Sequence, residues 1–533
     1  MNWNSLIPLP LRIKAREGTF PLSSHTIILC EQDYIAENFA LLCAADFNLT
    51  LKTRTGPEAQ PEAHPARPEA QPAHKKAQLS RPETNPEAQR EAHPLIVLQV
   101  HKGMEAEEYS LDISPWTLKI QAGGRAGFLH AYHTIKQYLL SLPPTTIIEG
   151  VFPLKCVEIS DSPAVRWRGA MLDVSRHIFP VEFILHFIDL LALHHLNIFH
   201  WHLTDDQGWR IGIPGYPKLL EISAWRDDMT TDQGSYGGYY SEKEIGRVVE
   251  HAYRRGVTIV PEIDLPGHVA SALAAYPHLS CRKEHTDVPV RHGIFEDVLC
   301  AGTPEVFPFI EAVVRQVCRL FPSDYIHLGG DECPTARWDE CPSCRAVKQQ
   351  QGFEQTSELQ GYLMNHAARI AEEYDKRVIA WDEVLSVRPD FTPITAVWRD
   401  ACYVKDAIAA GTPVILCPQH HGTYLDHKHR DDPDEPGRLG VSSVKDVYSL
   451  DIFHDLTVEE RSSILGGQAN LWTEELKYGR QVEYMAFPRL SALAENLWLP
   501  SNHKKWRRFS ASLKTHIERL ERLGAQPYRG PLE

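Results

Sequence analysis

Eight short apolar segments, most of them separated by stretches of helical periodicity, predict a (β/α)8 barrel preceded by a small α+β domain. The expected strands are Ala170–Val174, Asn197–His202, Thr258–Ile263, Tyr325–Leu328, Arg377–Ala380, Ile394–Trp398, Val414–Cys417 and Ile464–Ala469. Between them, Val181–Leu196, Glu242–Arg255, Glu305–Phe321 and Glu358–Tyr374 repeat apolar residues at helical spacing. A last amphipathic helix is expected from Trp506 to Leu523. The division expected is an N-terminal domain over 1–155, a barrel over 156–500 and a helical extension over 501–533.

In the first of these, Leu95–Val100, Tyr109–Ile113 and Leu118–Ala122 read as strands, and Gly124 to Leu140 reads as a helix. Residues 54–93 stand apart. PEAQ recurs at 57–60, 68–71 and 86–89, PEAH stands at 61–64, and Leu79 is the one large aliphatic residue. Such a segment buries too little apolar surface to offset its chain entropy, so a disordered insertion is expected there.

Composition narrows the function. Hydrophobic residues make up 43% of the 533, enough for full cores, and the net charge of −15 disfavours nucleic-acid and anionic-membrane partners. The N-terminus has no basic end followed by a long apolar run, and no stretch approaches a membrane span. Eleven scattered cysteines suit a reducing compartment, so a cytoplasmic location is expected. Most of those thiols are expected to be free and buried. Cys341-Pro-Ser-Cys344, with Cys333 nearby, has the spacing of a zinc half-site, but a fourth ligand is not evident.

The strand ends carry the chemistry. Tyr325-Ile-His-Leu-Gly-Gly-Asp331-Glu332 runs from a strand through two glycines, which permit close backbone approach, into adjacent carboxylates. Polar or aromatic clusters follow other strands: Asp173 to His177, His200 to Arg210, Glu262 to His268, Trp381-Asp-Glu383, Trp398-Arg-Asp400, His420 to Asp426 and Gln468 to Glu474. Carboxylates supply acid–base catalysis, tryptophan faces cover the C–H faces of a sugar, and charged heads orient its hydroxyls. A carbohydrate site follows. In an ordinary retaining glycosidase, acid and nucleophile face each other across the bond about 5–5.5 Å apart. Neighbouring residues leaving a strand point different ways, so Asp331 and Glu332 divide the work instead. Glu332 is read as the proton donor to the leaving oxygen, and Asp331 as holding another group.

The chain from about Asp161 to Pro500 resembles the family 20 glycoside hydrolases, the β-N-acetylhexosaminidases. His-Leu-Gly-Gly-Asp-Glu, Trp-Arg-Gly-Ala-Met-Leu-Asp-Val-Ser-Arg-His, Thr-Asp-Asp-Gln-Gly-Trp-Arg, Pro-Glu-Ile-Asp-Leu-Pro-Gly-His and Gly-Gly-Gln-Ala-Asn-Leu-Trp-Thr-Glu occur in family order. The resemblance implies exo-acting hydrolysis of terminal β-linked GlcNAc or GalNAc with retention, the substrate's 2-acetamido group serving as nucleophile. It implies Glu332 as general acid/base, Asp331 as the residue that orients the acetamide, and Tyr424 as a hydroxyl donor to the acetamide oxygen. Trp381, Trp398 and Trp472 would wall the pocket. Arg168 would clamp the 3- and 4-hydroxyls, Asp426 and Glu474 would contact the 4- and 6-hydroxyls, and Asp205 with His268 would form a relay to Glu332. No metal or organic cofactor is implied, and the partner is a carbohydrate bound by a monomer or homodimer.

Other readings exist for single residues. Asp331 and Glu332 suit a helix N-cap and first turn. His200 and His202 share one strand face, as in metal-dependent hydrolases, or simply pack the barrel. Taken singly, Arg168 reads as a surface residue and each tryptophan as core, while Asp264 and Asp382 are read as orienting neighbours. A metal-dependent hydrolase and a sugar-binding protein on an inactive barrel remain as alternatives; chelation and a turnover assay separate them from the first reading.

Overall fold

The computed structural model describes residues 3–55, 93–227, 234–400 and 402–533. The chain forms two compact units: Pro10–Ser162, and Pro163–Glu533 together with the N-terminal segment ending at Leu9.

The first unit contains strands β1 (Arg12–Leu22), β2 (Ile27–Cys30), β3 (Lys52–Thr55), β4 (Leu95–Val100), β5 (Tyr109–Ile113), β6 (Thr117–Ala122) and β7 (Phe152–Asp161). They form one mixed sheet in the order β1-β7-β5-β6-β4-β2-β3. Strand β6 buries Leu118, Ile120 and Ala122 at alternate positions. The helices Asp33–Phe47 and Arg125–Leu140 bury apolar faces, and Phe39 and Tyr132 join them edge to face at 5.3 Å. The unit ends later than residue 155, because β7 runs on to Asp161 and pairs with both β1 and β5. Asp161 accepts hydrogen bonds from Leu11 N at 3.0 Å and Tyr109 Oη at 2.8 Å, fastening the strand's last residue.

Arg54 and Thr55 belong to β3, so the proline-rich segment is shorter than expected at that end; residues 56–92 lie outside the described residues. Both β3 and β4 run parallel to β2 and flank it. The connection must therefore return to the opposite end of the sheet, which takes a dozen or more residues. Replacing 56–92 with a Gly/Ser loop of about that length should leave melting temperature and activity nearly unchanged, since the native composition offers almost no apolar surface. Thermal unfolding and a rate assay check this; a large loss in either shows that the segment packs.

The second unit begins with β8 (Trp167–Asp173) and β9 (Ile198–His202). Two small antiparallel pairs follow: β10 (Thr204–Asp205) with β11 (Gly208–Trp209), and β12 (Trp225–Arg226) with β13 (Tyr236–Gly237). Then come β14 (Thr258–Glu262), β15 (Tyr325–His327), β16 (Arg377–Trp381), β17 (Ile394–Val397), β18 (Val414–Leu416) and β19 (Ile464–Leu471). Strands β8, β9 and β14 to β19 close a barrel in sequence order, with β19 pairing β8, and every barrel pair is parallel. Helices Val181–Leu193, Glu242–Arg255, Val306–Leu320 and Glu358–Glu372 lie near their expected positions. Glu242–Arg255 shows the local logic. A Ser241/Glu244 capping box starts it, Arg254 and Arg255 sit in its last turn, and Gly256 ends it at φ 80°.

Trp167, Met171, Ile198, Val260, Ile379, Trp381, Ile394 and Ile415 fill the barrel core. The helix Trp506–Arg522 belongs to this unit rather than to a separate extension. It buries Phe509, Leu513 and Leu520, and its Arg519 donates to Ser5 O and Ser5 Oγ, each at 2.8 Å. Among the described residues no helix is long and apolar enough to cross a membrane.

Candidate active site

Strand β15 delivers the acid pair. After His327 the chain passes Gly329 at φ 65° and Gly330 at φ 92° and reaches Glu332 at φ 45°. The glycines make room for protein rather than ligand: a Cβ on Gly329 would fall 1.9 Å from Asp264 Oδ1, and Gly330 N donates to that oxygen at 3.1 Å. Glu332 and His268 are non-glycine residues in left-handed backbone, at φ 45° and 49°. Such strain of order 1–3 kcal/mol persists where the surroundings over-determine it, typically at functional sites.

His268 ties the pair to the rest of the site. Its Nε2 lies 3.6 Å from Glu332 Oε2 and 3.8 Å from Asp331 Oδ2. Its Nδ1 lies 3.0 Å from Asp206 Oδ2 and 3.2 Å from Asp205 Oδ1. Burial opposes its charge, but Asp205 and Asp206 outweigh burial and hold the imidazole well above its ordinary pKa. The charged imidazole of His268, 3.6 Å away, then lowers Glu332, whose side chain is 36% exposed. Asp331 is different. Burial first, then the charges of Glu332 and Glu262, push it up. Burial and the charge of Asp331 also raise Asp264 well above its usual value and Glu383 to about 9. Mutual repulsion thus keeps protons in the Asp264–Asp331–Glu383 group at neutral pH. Two neighbouring acids with opposite environments suit two different tasks.

Four aromatic rings form a wall. Trp381 and Trp472 centroids are 6.2 Å apart, Trp472 and Tyr424 6.4 Å, and Tyr424 and Trp398 6.2 Å. Trp381 Nε1 donates to Glu262 Oε1 at 2.9 Å, and Trp398 Nε1 to Glu383 Oε2 at 3.0 Å, so both indoles are fixed in place. The charge of Asp331 reaches Tyr424 as well as Glu383. On another side Arg438 joins Asp426 at 3.1 Å to Glu474 at 2.9 Å. Asp426 Oδ1, Glu474 Oε2 and Asp331 Oδ1 are buried oxygens with no hydrogen-bond partner. Native proteins seldom leave such atoms unmatched, and a polyhydroxylated ligand would supply donors.

The structure corrects one expectation outright. Arg168 does not reach this site. It is the second residue of β8, at the barrel end opposite the acid pair, fully buried, with its guanidinium donating to His195 O and Val165 O and lying over Trp498. The cation at the strand's C-terminal end is Arg176. Its Nη2 is 2.8 Å from Asp205 Oδ2, its Nη1 3.5 Å from Asp173 Oδ2, and its guanidinium lies 5.0 Å from the centre of the Trp472 ring. The sequence signal for Arg176 was available: it follows the strand, whereas Arg168 precedes or opens it. The sequence reading likewise assigns no role to Asp206, Glu383 or Arg438: Asp206 adjoins Asp205, which takes the role, and Glu383 adjoins Asp382, read only as orienting a neighbour.

His200 and His202 lie beneath the site around Glu262. His200 Nε2 is 3.0 Å from that carboxylate, His327 Nδ1 2.9 Å, and His202 Nδ1 also bonds it. The Trp381 indole N–H and His202 Nδ1 hydrogen-bond this fully buried glutamate, and the other two imidazoles pack against it. That arrangement suits a structural hub under the catalytic floor. Surface cavities of about 490 and 650 Å³ lie elsewhere, lined by Phe307, Tyr362 and His366 and by Leu416, Pro418 and His454; neither includes Asp331 or Glu332.

A parallel barrel that gathers adjacent carboxylates, a histidine–aspartate cluster and an aromatic wall at its strand ends has the elements a carbohydrate site needs. The family description "Glycosyl hydrolase family 20, catalytic domain" matches residues 165–501, and "Glycosyl hydrolase family 20, domain 2" matches residues 4–162. A beta-hexosaminidase of Porphyromonas gingivalis is 38% identical over 405 residues, covering 74% of this chain and 52% of that protein. One of Vibrio furnissii is 33% identical over 414 residues, covering 75% and 66%. The chain thus spans about half to two thirds of these relatives. The solved GH20 exo beta-N-acetylglucosaminidase of Vibrio harveyi, in complex with N-acetylglucosamine, superposes with a TM-score of 0.83 at 28% identity, covering 100% of this chain and 79% of that one. The chain belongs to glycosyl hydrolase family 20.

Proposed function

We propose that this protein is an exo-acting, retaining β-N-acetylhexosaminidase that removes terminal β-linked GlcNAc or GalNAc by substrate-assisted catalysis. The observation that carries the reading is the contrast within the acid pair: the Glu332 side chain is 36% exposed beside His268, whereas that of Asp331 is 13% exposed and its charge reaches Tyr424 and Glu383. Glu332 donates its proton to the leaving oxygen and later takes one from water. Asp331 holds the acetamide N–H and supports the positive charge of the cyclic oxazolinium, while Tyr424 bonds the acetamide oxygen. Trp381, Trp398 and Trp472 exclude water from that ring. Asp426 and Glu474 take the outer hydroxyls, and Arg176, rather than Arg168, is the arginine placed to help them. No metal enters these steps. The eleven scattered cysteines favour a reducing, cytoplasmic setting. A panel of chromogenic β-glycosides with and without the 2-acetamido group tests the reading.

In the free enzyme Glu332 sits below its usual pKa, whereas the first step needs it protonated. An aglycone covering its exposed face withdraws water from the carboxylate and raises it. The role of His268 gives a sign. Its imidazolium is the largest cause of the lowering, so in a His268→Asn variant Glu332 keeps its proton to higher pH. The descending limb of kcat/KM, which reports the free enzyme's acid, should move up in pH on a β-GlcNAc oligosaccharide with a poor leaving group. A shift to lower pH would refute the relay.

A further inference from the structure

The Sγ atoms of Cys281, Cys300, Cys341 and Cys344 all lie within 4.8 Å of one another. The separations are 3.7 Å for Cys281–Cys344, 3.9 Å for Cys300–Cys341 and 3.5 Å for Cys300–Cys344. A tetrahedral zinc tetrathiolate, with Zn–S near 2.3 Å, has sulfur–sulfur edges of about 3.8 Å. Disulfide sulfurs sit about 2.05 Å apart, and a disulfide joins two sulfurs rather than gathering four. From this geometry we propose that the four cysteines bind one structural zinc ion as thiolates.

The surroundings fit. The Thr303 hydroxyl and Gly302 N–H face Cys300 sulfur, and Gly302 N–H also faces Cys344, as donors that stabilise thiolates. Cys341 caps the helix Pro342–Gln351 and Cys344 lies in its first turn, where exposed N–H groups favour sulfur anions. Gly302 is pressed on the other half of the site: a Cβ there would lie 2.3 Å from Ser343 C. The sequence showed only the Cys341/Cys344 half. Cys333 is not in the cluster, and the missing ligands come from far upstream.

The location gives the ion a task. Cys281 and Cys300 follow β14, whose loop carries His268; Cys341 and Cys344 follow β15, whose loop carries Asp331 and Glu332. Trp338 Nε1 to Leu299 O at 2.9 Å and Arg337 to Asp297 at 3.2 Å already join these segments. Zinc would cross-link them and hold the relay histidine in register with the acid. It stands apart from the sugar chemistry, so the proposal does not depend on the substrate.

Metal analysis of the full chain, purified without chelator from zinc-supplemented culture, should find one zinc per chain. Single Cys→Ser changes at 281, 300, 341 and 344 should each lose the zinc and lower Tm, while Cys333→Ser and Cys402→Ser keep it. Should those variants fail to fold, wild-type protein grown with Co²⁺ supplies a second reading, since four thiolates give sulfur-to-cobalt charge-transfer absorption. Metal-free protein with four thiols open to a thiol reagent overturns the proposal. So does an intact mass lighter by one hydrogen per cysteine, which marks disulfides. Bound iron overturns the choice of metal, and loss of zinc in Cys333→Ser overturns the ligand set.

Discussion

Aryl β-GlcNAc should be hydrolysed, and the corresponding β-glucoside should be slower by about 10⁵-fold or more, the effective molarity that a well-placed intramolecular nucleophile supplies. The reasoning starts from the acid pair. Asp331 and Glu332 leave one strand end side by side, and His268 Nε2 contacts both at 3.8 and 3.6 Å, so they do not face each other across a bond. In the proposed mechanism the acetamido group attacks the anomeric carbon itself, and Asp331 keeps it in place. A glucoside has no such group, and neither Asp331 nor Glu332 is set to replace it. A thiazoline that imitates the cyclic intermediate should bind far more tightly than substrate, because the site is complementary to that charge distribution. Initial rates on the paired substrates decide the matter. Comparable rates would sink the proposal.

The second large effect is a divergence between two variants. Glu332→Gln removes the proton donor, so it should cripple hydrolysis of natural glycosides and spare much of the rate on an activated aryl glycoside, whose phenolate leaves unaided. Asp331→Asn removes the charge that supports the cyclising acetamide. Its loss should be on the order of 10²–10⁴-fold with either leaving group, about 3–5 kcal/mol of transition-state stabilisation. The plot of log rate against leaving-group pKa should be steep for Glu332→Gln and close to that of wild type for Asp331→Asn. Equal slopes would undo the assignment of acid to Glu332 and acetamide orienter to Asp331.

Much of this was legible in the chain. Strand β15 and the Gly-Gly-Asp-Glu turn can be read from apolar run, glycine and acid alone, because local preferences and global fold agree there. The same holds for Glu242–Arg255, whose capping serine, terminal arginines and closing glycine stand at their places in the sequence. Arg168 shows where the reading slipped. It lies near the right motif, but β8 opens at Trp167, and a residue at a strand's start faces the far end of the barrel. Asp331 and Glu332 are chemically similar neighbours in the sequence. Only the low-dielectric surroundings of one and the cationic partner of the other push their proton affinities in opposite directions.

By itself, then, the sequence determined the barrel, the order of its strands and the identity of the acid pair, since these depend on periodicity and on motifs a few residues long. The tertiary structure decided which arginine serves the site, how His268 and two aspartates set the charge of Glu332, and which four cysteines converge. Those features join residues far apart in the chain. Their energies depend on distance and burial, which local sequence does not encode.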